Sequence, residues 1–200
     1  ADDLNLSSIS QVYKNGKLVC ENGKALFECE TVDNSKVTNT VHLPKISADF
    51  FKTDVKDKFD AIELIPESII TKKVTVSYSD SLSKVCVIER HHNLGTKGIG
   101  FVTNYGITNG AIATSIGHDS HNVIVIGDND SDMALAVNTL GTSGGIAVCS
   151  EGKVIASMTL DIAGLMSLKS ADEVTREHDN LYSAAKVLNI TDKIDPFLSL

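Results

Sequence analysis

Apolar positions fall into three regimes along the 200 residues. Up to about residue 28 they come in short groups around two Asn-Gly pairs, Asn15-Gly16 and Asn22-Gly23. Both residue types tolerate positive φ, which makes the pair the strongest two-residue hairpin signal. Val12-Tyr13-Lys14 and Lys17-Leu18-Val19-Cys20 flank the first pair and predict a short β-hairpin. So small a sheet does not stand alone, and it is expected to pair with chain elsewhere. Residues 29–60 are polar and irregular and read as a connector with weak elements. Phe50, Phe51 and Phe59 lie there among charges and are expected to pack on a neighbouring surface.

The pattern changes at about residue 61. Apolar runs at 62–65, 69–78, 85–88, 101–103, 111–116 and 123–126 predict strands, with Pro66 breaking the first from the second. Residues 129–140 predict a helix, because Met133, Ala136 or Val137, and Leu140 recur at helical spacing and Gly141 follows as a stop. Two more strands are expected at 146–149 and 154–160, joined at Glu151-Gly152, and a short helix at 162–166. Ser170 with Glu173 three residues on forms a capping box. Val174, His178, Leu181, Ala185 and Leu188 then fall on one helical face. The fold class is therefore α+β: a mixed-sheet domain with a few packed helices over residues 61–200, a connector over 29–60, and a hairpin over 1–28.

Composition narrows the function classes. At 42% hydrophobic the chain can bury a real core. Its formal charge of -8 and the lack of a basic stripe argue against nucleic acid as a partner. No run of 18 apolar residues is present, so no transmembrane helix is expected. The start lacks the regions of a signal peptide and also lacks an initiator Met. The ending Asp195-Pro196-Phe197-Leu198-Ser199-Leu200 is apolar without a polar tail, and both ends read as those of a fragment. Cys20, Cys29, Cys86 and Cys149 are scattered, with no C-x-x-C. Cys86 and Cys149 sit in apolar strands and read as small buried hydrophobes, a usage that fits a reduced cytoplasm.

Candidate chemistry concentrates at strand ends. Gly117-His118-Asp119-Ser120-His121-Asn122 lies between the apolar runs 111–116 and 123–126. Such a polar cluster is a poor way to build a core and a good way to aim imidazole and carboxylate groups into a cleft. Glu89-Arg90-His91-His92-Asn93 ends the strand at 85–88 in the same manner. If the two strands lie side by side, their ends share one rim. His118 and His121 point to opposite faces if extended, and two imidazoles alone leave a metal site short of ligands. Asp128-Asn129-Asp130-Ser131-Asp132 opens like a calcium loop, but Met133 stands where Gly is needed and Thr139 where Glu is needed. It reads instead as the acidic start of the helix. Gly98-Ile99-Gly100 is half a dinucleotide fingerprint with a strand after it; a Rossmann site is rejected, and the glycines read as turn or close-approach positions.

Taken in order, these pieces resemble the C-terminal part of bacterial-type adenine deaminases of the amidohydrolase superfamily. The resemblance runs through Val87-Ile88-Glu89-Arg90-His91, Lys97-Gly98-Ile99-Gly100-Phe101-Val102 and Gly110-Ala111-Ile112-Ala113. It continues through His118-Asp119-Ser120-His121-Asn122, Asn129-Asp130-Ser131-Asp132-Met133-Ala134 and Ala163-Gly164-Leu165-Met166-Ser167, and covers nearly the whole chain. It implies that the hairpin is the returning strand pair of an amidohydrolase β-sandwich. For the full-length enzyme it implies hydrolysis of adenine to hypoxanthine and ammonia, within purine salvage. A metal-bound hydroxide would attack C6 of the purine, and a carboxylate would move protons to the leaving amine. The implied cofactor is a divalent metal pair, manganese or iron, held by a (β/α)₈ barrel whose ligands begin with His-x-His. This chain has no His-x-His and no room for a barrel, so none of those ligands is carried onto it.

The expectation is thus a C-terminal fragment, inactive alone, whose partners are the missing barrel of the same chain, adenine, and further copies in a homo-oligomer. His118, Asp119 and His121 are expected to reach the purine site or its surroundings, with Glu89 and Arg90 orienting them and His91 beside them. Two alternatives stand next to it: a non-catalytic assembly or lid module, and an independent small-molecule binding domain.

Overall fold

Both Asn-Gly pairs are turns. Asn15 and Gly16 have φ of 50° and 74°, and Asn22 and Gly23 have 49° and 77°. Positive φ at both central positions is what a type I′ hairpin turn requires. A computed structural model describes residues 9–28, 30, 32–54, 57–68, 70–78 and 82–198; Cys29 and Ile69 lie outside them. The chain divides into two units, Ala1–Asn34 and Ser35–Leu200. The first holds an antiparallel sheet of β1 (Gln11–Lys14), β2 (Lys17–Glu21) and β3 (Lys24–Ala25). The sequence predicts only the first hairpin; β3 is two residues long and too short to show alternation.

The second unit is an eight-stranded mixed sheet with one helix on each face. Its elements are β4 (Lys58–Leu64), β5 (Thr71–Ser77), β6 (Ser83–Ile88), β7 (Lys97–Thr103), β8 (Gly110–Thr114), β9 (Val123–Gly127), α1 (Asp130–Thr139), β10 (Gly145–Ser150), β11 (Lys153–Thr159) and α2 (Ala171–Ala185). The strand order is β11-β10-β8-β9-β6-β7-β4-β5. Neighbours are antiparallel except β4 and β7, which pair in parallel through Ile62 with Val102 and Glu63 with Thr103.

Side-chain alternation sorts the core into two layers. Cys86, Ile88, Ala111, Ala113, Val123, Val125, Ala147 and Cys149 face α1, where Met133, Ala136 and Val137 close over them. Ile112, Ile126, Ile146 and Val148 face the other way, under Leu181, Ala184, Ala185 and Leu188. Burial on both faces is why β8, β9 and β10 read as unbroken apolar runs. The short helical turn Ala48–Phe51 adds Phe51, fully buried, to the α1 layer, with Phe50 edge-on to it.

Helix starts follow their caps. The Asn129 side chain accepts from the Asp132 N–H at 2.8 Å, and Asp130 and Asp132 fill the first turn. Ser170 and Glu173 complete the reciprocal capping box of α2. Three expectations differ from the structure. His178 is exposed, its ring tilted against Tyr182 with centroids 4.6 Å apart, and Ala184 takes its place on the buried face. Residues 162–166 form no helix: Ile162 and Met166 bridge, while Ala163 and Gly164 turn the chain with φ of 56° and 69°. Gly98 and Gly100 lie inside β7 opposite Val87 and Val85, not at turns. Glycines carry no side chain to reveal alternation, so β7 is legible only from Phe101 on. Among the described residues no helix is long and apolar enough to cross a membrane.

Candidate functional site at one end of the sheet

Strand register brings the two polar clusters together. Ile88 of β6 pairs with Val123 of β9, and Thr114 of β8 pairs with Ile124. The chain leaving β6 as Glu89-Arg90-His91 and the loop 117–122 joining β8 to β9 therefore emerge at one end of the sheet. Ile146 pairs with Thr114, and Gly145 with Thr159. The loop 160–166 that follows β11 consequently reaches the same end.

Arg90 is the hub. It is only 2% exposed. Its Nε donates to the His121 carbonyl, and its Nη2 donates to the Ala163 carbonyl at 2.9 Å. The Arg90 carbonyl accepts from the His42 N–H at 2.8 Å. Burial lowers the guanidinium pKa from its ordinary value. Among the described residues Nη1 has no hydrogen-bond partner. Below it, Ser115 Oγ donates to the Gly164 carbonyl at 2.6 Å and accepts from the Gly145 N–H at 2.8 Å. Gly164 is obligatory here: a Cβ would stand 2.7 Å from Arg90 Nη1.

Glu89 orders the neighbouring turn. Its carboxylate accepts from the N–H groups of His91 at 2.6 Å, His92 at 2.8 Å and Leu94 at 3.1 Å. These bonds, the one from Leu94 foremost, hold its pKa down to about 2 against the opposing effect of partial burial. His91 Nε2 lies 3.0 Å from the Ser120 carbonyl and ties this turn to the loop 117–122.

The loop presents its side chains outward. His118 Nδ1 and Asp119 Oδ1 are 2.9 Å apart, with side chains 95% and 96% exposed. His121 is exposed at φ 50°, and it is its carbonyl, not its imidazole, that meets Arg90. Glu89, Arg90, His91 and the backbone of His121 thus form one bonded group, while His118 and Asp119 pair with each other at its rim. His118 and His121 do not converge on one point with a third ligand. Among the described residues no three His, Cys, Asp or Glu side chains are placed to hold a metal ion. The donor set needed for a divalent pair does not fit these residues. Sequence reasoning gave no role to Ser115, Ala163 or Gly164. The signal that could have found them is Ser115, a hydroxyl closing an apolar strand.

The family model of the adenine deaminase C-terminal domain matches residues 63–200. The chain belongs to the adenine deaminase C-terminal domain family. Among curated relatives, it is 37% identical over 212 residues to adenine deaminase 2 of Carboxydothermus hydrogenoformans and 35% identical over 212 residues to an adenine deaminase of Nitratidesulfovibrio vulgaris. In both matches all of this chain aligns with 37% of the relative. A Dehalococcoides mccartyi adenine deaminase is 36% identical over 186 residues, covering 86% of this chain and 33% of the relative. The chain thus spans little more than a third of the length of the curated relatives it matches. The site built from Arg90, Glu89 and the loop 117–122 lies within the matched region.

Proposed function

We propose that this chain serves as the C-terminal portion of a metal-dependent adenine deaminase, in which adenine and water give hypoxanthine and ammonia. Water adds at C6 of the purine and the exocyclic amine departs with the transferred protons. The divalent pair, manganese or iron, sits on ligands outside the described residues of this chain, so the fragment alone is inactive. Residues 1–28 complete the small β-sandwich beside the barrel, residues 29–60 connect, and residues 61–200 form the C-terminal domain. The working protein is a cytoplasmic homo-oligomer.

In this reading the end of the sheet that carries Glu89, Arg90, His91, His118, Asp119 and His121 faces the barrel. The observation that carries it is the convergence of the segments 89–92 and 117–122, tied through His91 to Ser120 and Arg90 to His121. Bonded backbone holds the loop while the His118–Asp119 pair stays free to meet a substrate-bearing surface. A histidine paired with a carboxylate is equipped to orient or exchange a proton. The test is His118→Ala and His121→Ala in the full-length enzyme, measuring turnover and bound metal. At least tenfold slower turnover in one of them is expected; near-normal turnover and metal content in both defeats the reading.

The exposure of the pair and the use of the His121 carbonyl as an anchor favour a second reading, a non-catalytic assembly or lid module. Truncation that abolishes assembly while turnover per folded protomer persists, followed by analytical ultracentrifugation, would select it.

A further inference from the structure

An edge strand presents a row of unpaired N–H and C=O groups, and proteins usually protect it with lysines, proline or a covering segment. The eight-stranded sheet has two edges, β5 and β11. β5 carries Lys72 and Lys73 side by side and exposed, which is a protected edge. β11 has no proline, and its one lysine, Lys153, is its first residue. Val154 and Ile155 follow, 43% and 39% exposed. A groove lies between this strand and α2, lined by Ile155, Ser157, Asn180, Ser183 and Val187, and Val187 is 60% exposed.

Register shows which backbone groups of β11 are free. The Gly145 carbonyl accepts from Ser115 N–H, toward β8, and the Gly144 carbonyl accepts from Leu160 N–H. Alternation then turns Met158 and Leu160 toward β10 and the N–H and C=O groups of Ser157 and Thr159 outward. Among the described residues no strand lies beyond β11 to receive them. Opposite charges flank this outward row symmetrically: Lys153 stands four residues before Ser157 and Asp161 four residues after it. The lysines paired to carboxylates are Lys52, Lys73, Lys84 and Lys169, so Lys153 and Asp161 enter no ion pair among the described residues.

We propose that β11 pairs antiparallel with β11 of a second copy, about a two-fold axis at Ser157. The proposal rests on the homo-oligomer of the proposed function and names the surface that builds it. Ser157 then meets its own counterpart as a hydrogen-bonded pair, because its N–H and C=O face outward. In the same register Lys153 lies opposite the partner's Asp161, and the two-fold axis makes that ion pair twice. Charge thus selects this register over its neighbours. A stable interface buries roughly 1,200 Å² or more, and Val154, Ile155 and Val187 supply apolar area beside the strand.

The experiment is sedimentation velocity of the full-length protein over a concentration series. Lys153→Glu and Asp161→Lys each set like charges opposite one another, and each is expected to weaken self-association by about tenfold or more. Mixing the two single variants restores opposite charges across a mixed pair, so association is expected to return in the mixture. Contact between copies predicts that rescue; a change of fold within one copy does not. Ser157→Pro removes an outward N–H and is expected to weaken association as well. Should Asp161→Lys not fold, Lys153→Glu and Ser157→Pro carry the test, and unchanged association in both overturns the proposal. If every variant sediments like the natural protein, β11 is not the interface and the homo-oligomer stands on another surface. A natural protein that stays monomeric throughout defeats both. Lower thermal stability of Ser157→Pro without altered sedimentation means that the same chain's N-terminal portion covers β11, and it too overturns the proposal.

Discussion

Ser115 Oγ and the Gly164 carbonyl are joined by a 2.6 Å hydrogen bond across 49 residues of sequence. The same hydroxyl accepts from Gly145 N–H, so one buried oxygen fastens the end of β8 to the start of β10 and to the loop after β11. Ser115→Ala leaves two buried backbone groups short of a partner and is expected to cost about 1–3 kcal/mol. Gly164→Ala is expected to be at least as damaging, since φ of 69° and contact with Arg90 both oppose a Cβ. Urea denaturation midpoints check both.

Glu89 predicts a pH dependence. Its folded pKa is about 2, below the ordinary 4.5, because the Leu94, His92 and His91 amides stabilise the charged form. A depressed carboxyl contributes stability that is full above about pH 4.5 and lost as pH falls toward about 2. Glu89→Gln is expected to flatten the decline of the urea midpoint across that window and to lower the midpoint at neutral pH. Parallel curves for the two proteins would remove the assignment.

The acidic residues that open α1 are expected to differ in weight. Asp132 is buried and accepts from Gly152 N–H at 2.8 Å and Asn129 Nδ2 at 2.9 Å, joining α1 to the β10–β11 turn. Asp130 pairs with Lys84 at 2.5 Å at a partly exposed position. Asp132→Ala should cost about 1–3 kcal/mol, and Asp130→Ala less than about 1 kcal/mol. Equal losses in thermal unfolding would contradict the burial difference.

On α2, Leu181→Ala is expected to cost about 2–5 kcal/mol, because the side chain is fully buried against β10 and β11. His178→Ala, on the outer face, should fall within about 0.5 kcal/mol. A larger loss at His178 would restore it to the buried face.

Cys86 and Cys149 are raised by burial to about 11 and about 12. Thiol, not thiolate, therefore dominates at neutral pH. Brief alkylation at pH 8 read by mass spectrometry should leave both unmodified until the protein is unfolded.

The His178 position illustrates how far helical periodicity reaches. Spacing placed Val174, His178, Leu181, Ala185 and Leu188 on one stripe; packing buries Leu181, Ala185 and Leu188, adds Ala184 and leaves His178 exposed. A sheet accepts small side chains at close approach, and alanine is silent in a pattern search. The segment 162–166 failed for a different reason. Its short apolar spacing fits a helix, but Ala163 and Gly164 take left-handed backbone to meet Arg90 and Ser115, a tertiary demand without a local sequence signature.

Local chemistry sufficed for much of the molecule: the Asn-Gly turns, the acidic start of α1, the capping box at Ser170, the buried runs of β8, β9 and β10, and the polar strand ends at 89–92 and 117–122. Each follows from φ preferences, orphan helix amides or side-chain hydrophobicity acting within a few residues. Tertiary structure alone decided that Arg90 reaches His121 and Ala163, that Glu89 turns back on its own loop, and that the His121 imidazole leaves its carbonyl to make the contact. Those outcomes depend on strand register between segments 30 to 70 residues apart. Register is fixed by the whole buried sheet, through the pairing of Ile88 with Val123 and Thr114 with Ile124, and not by any residue of the site itself.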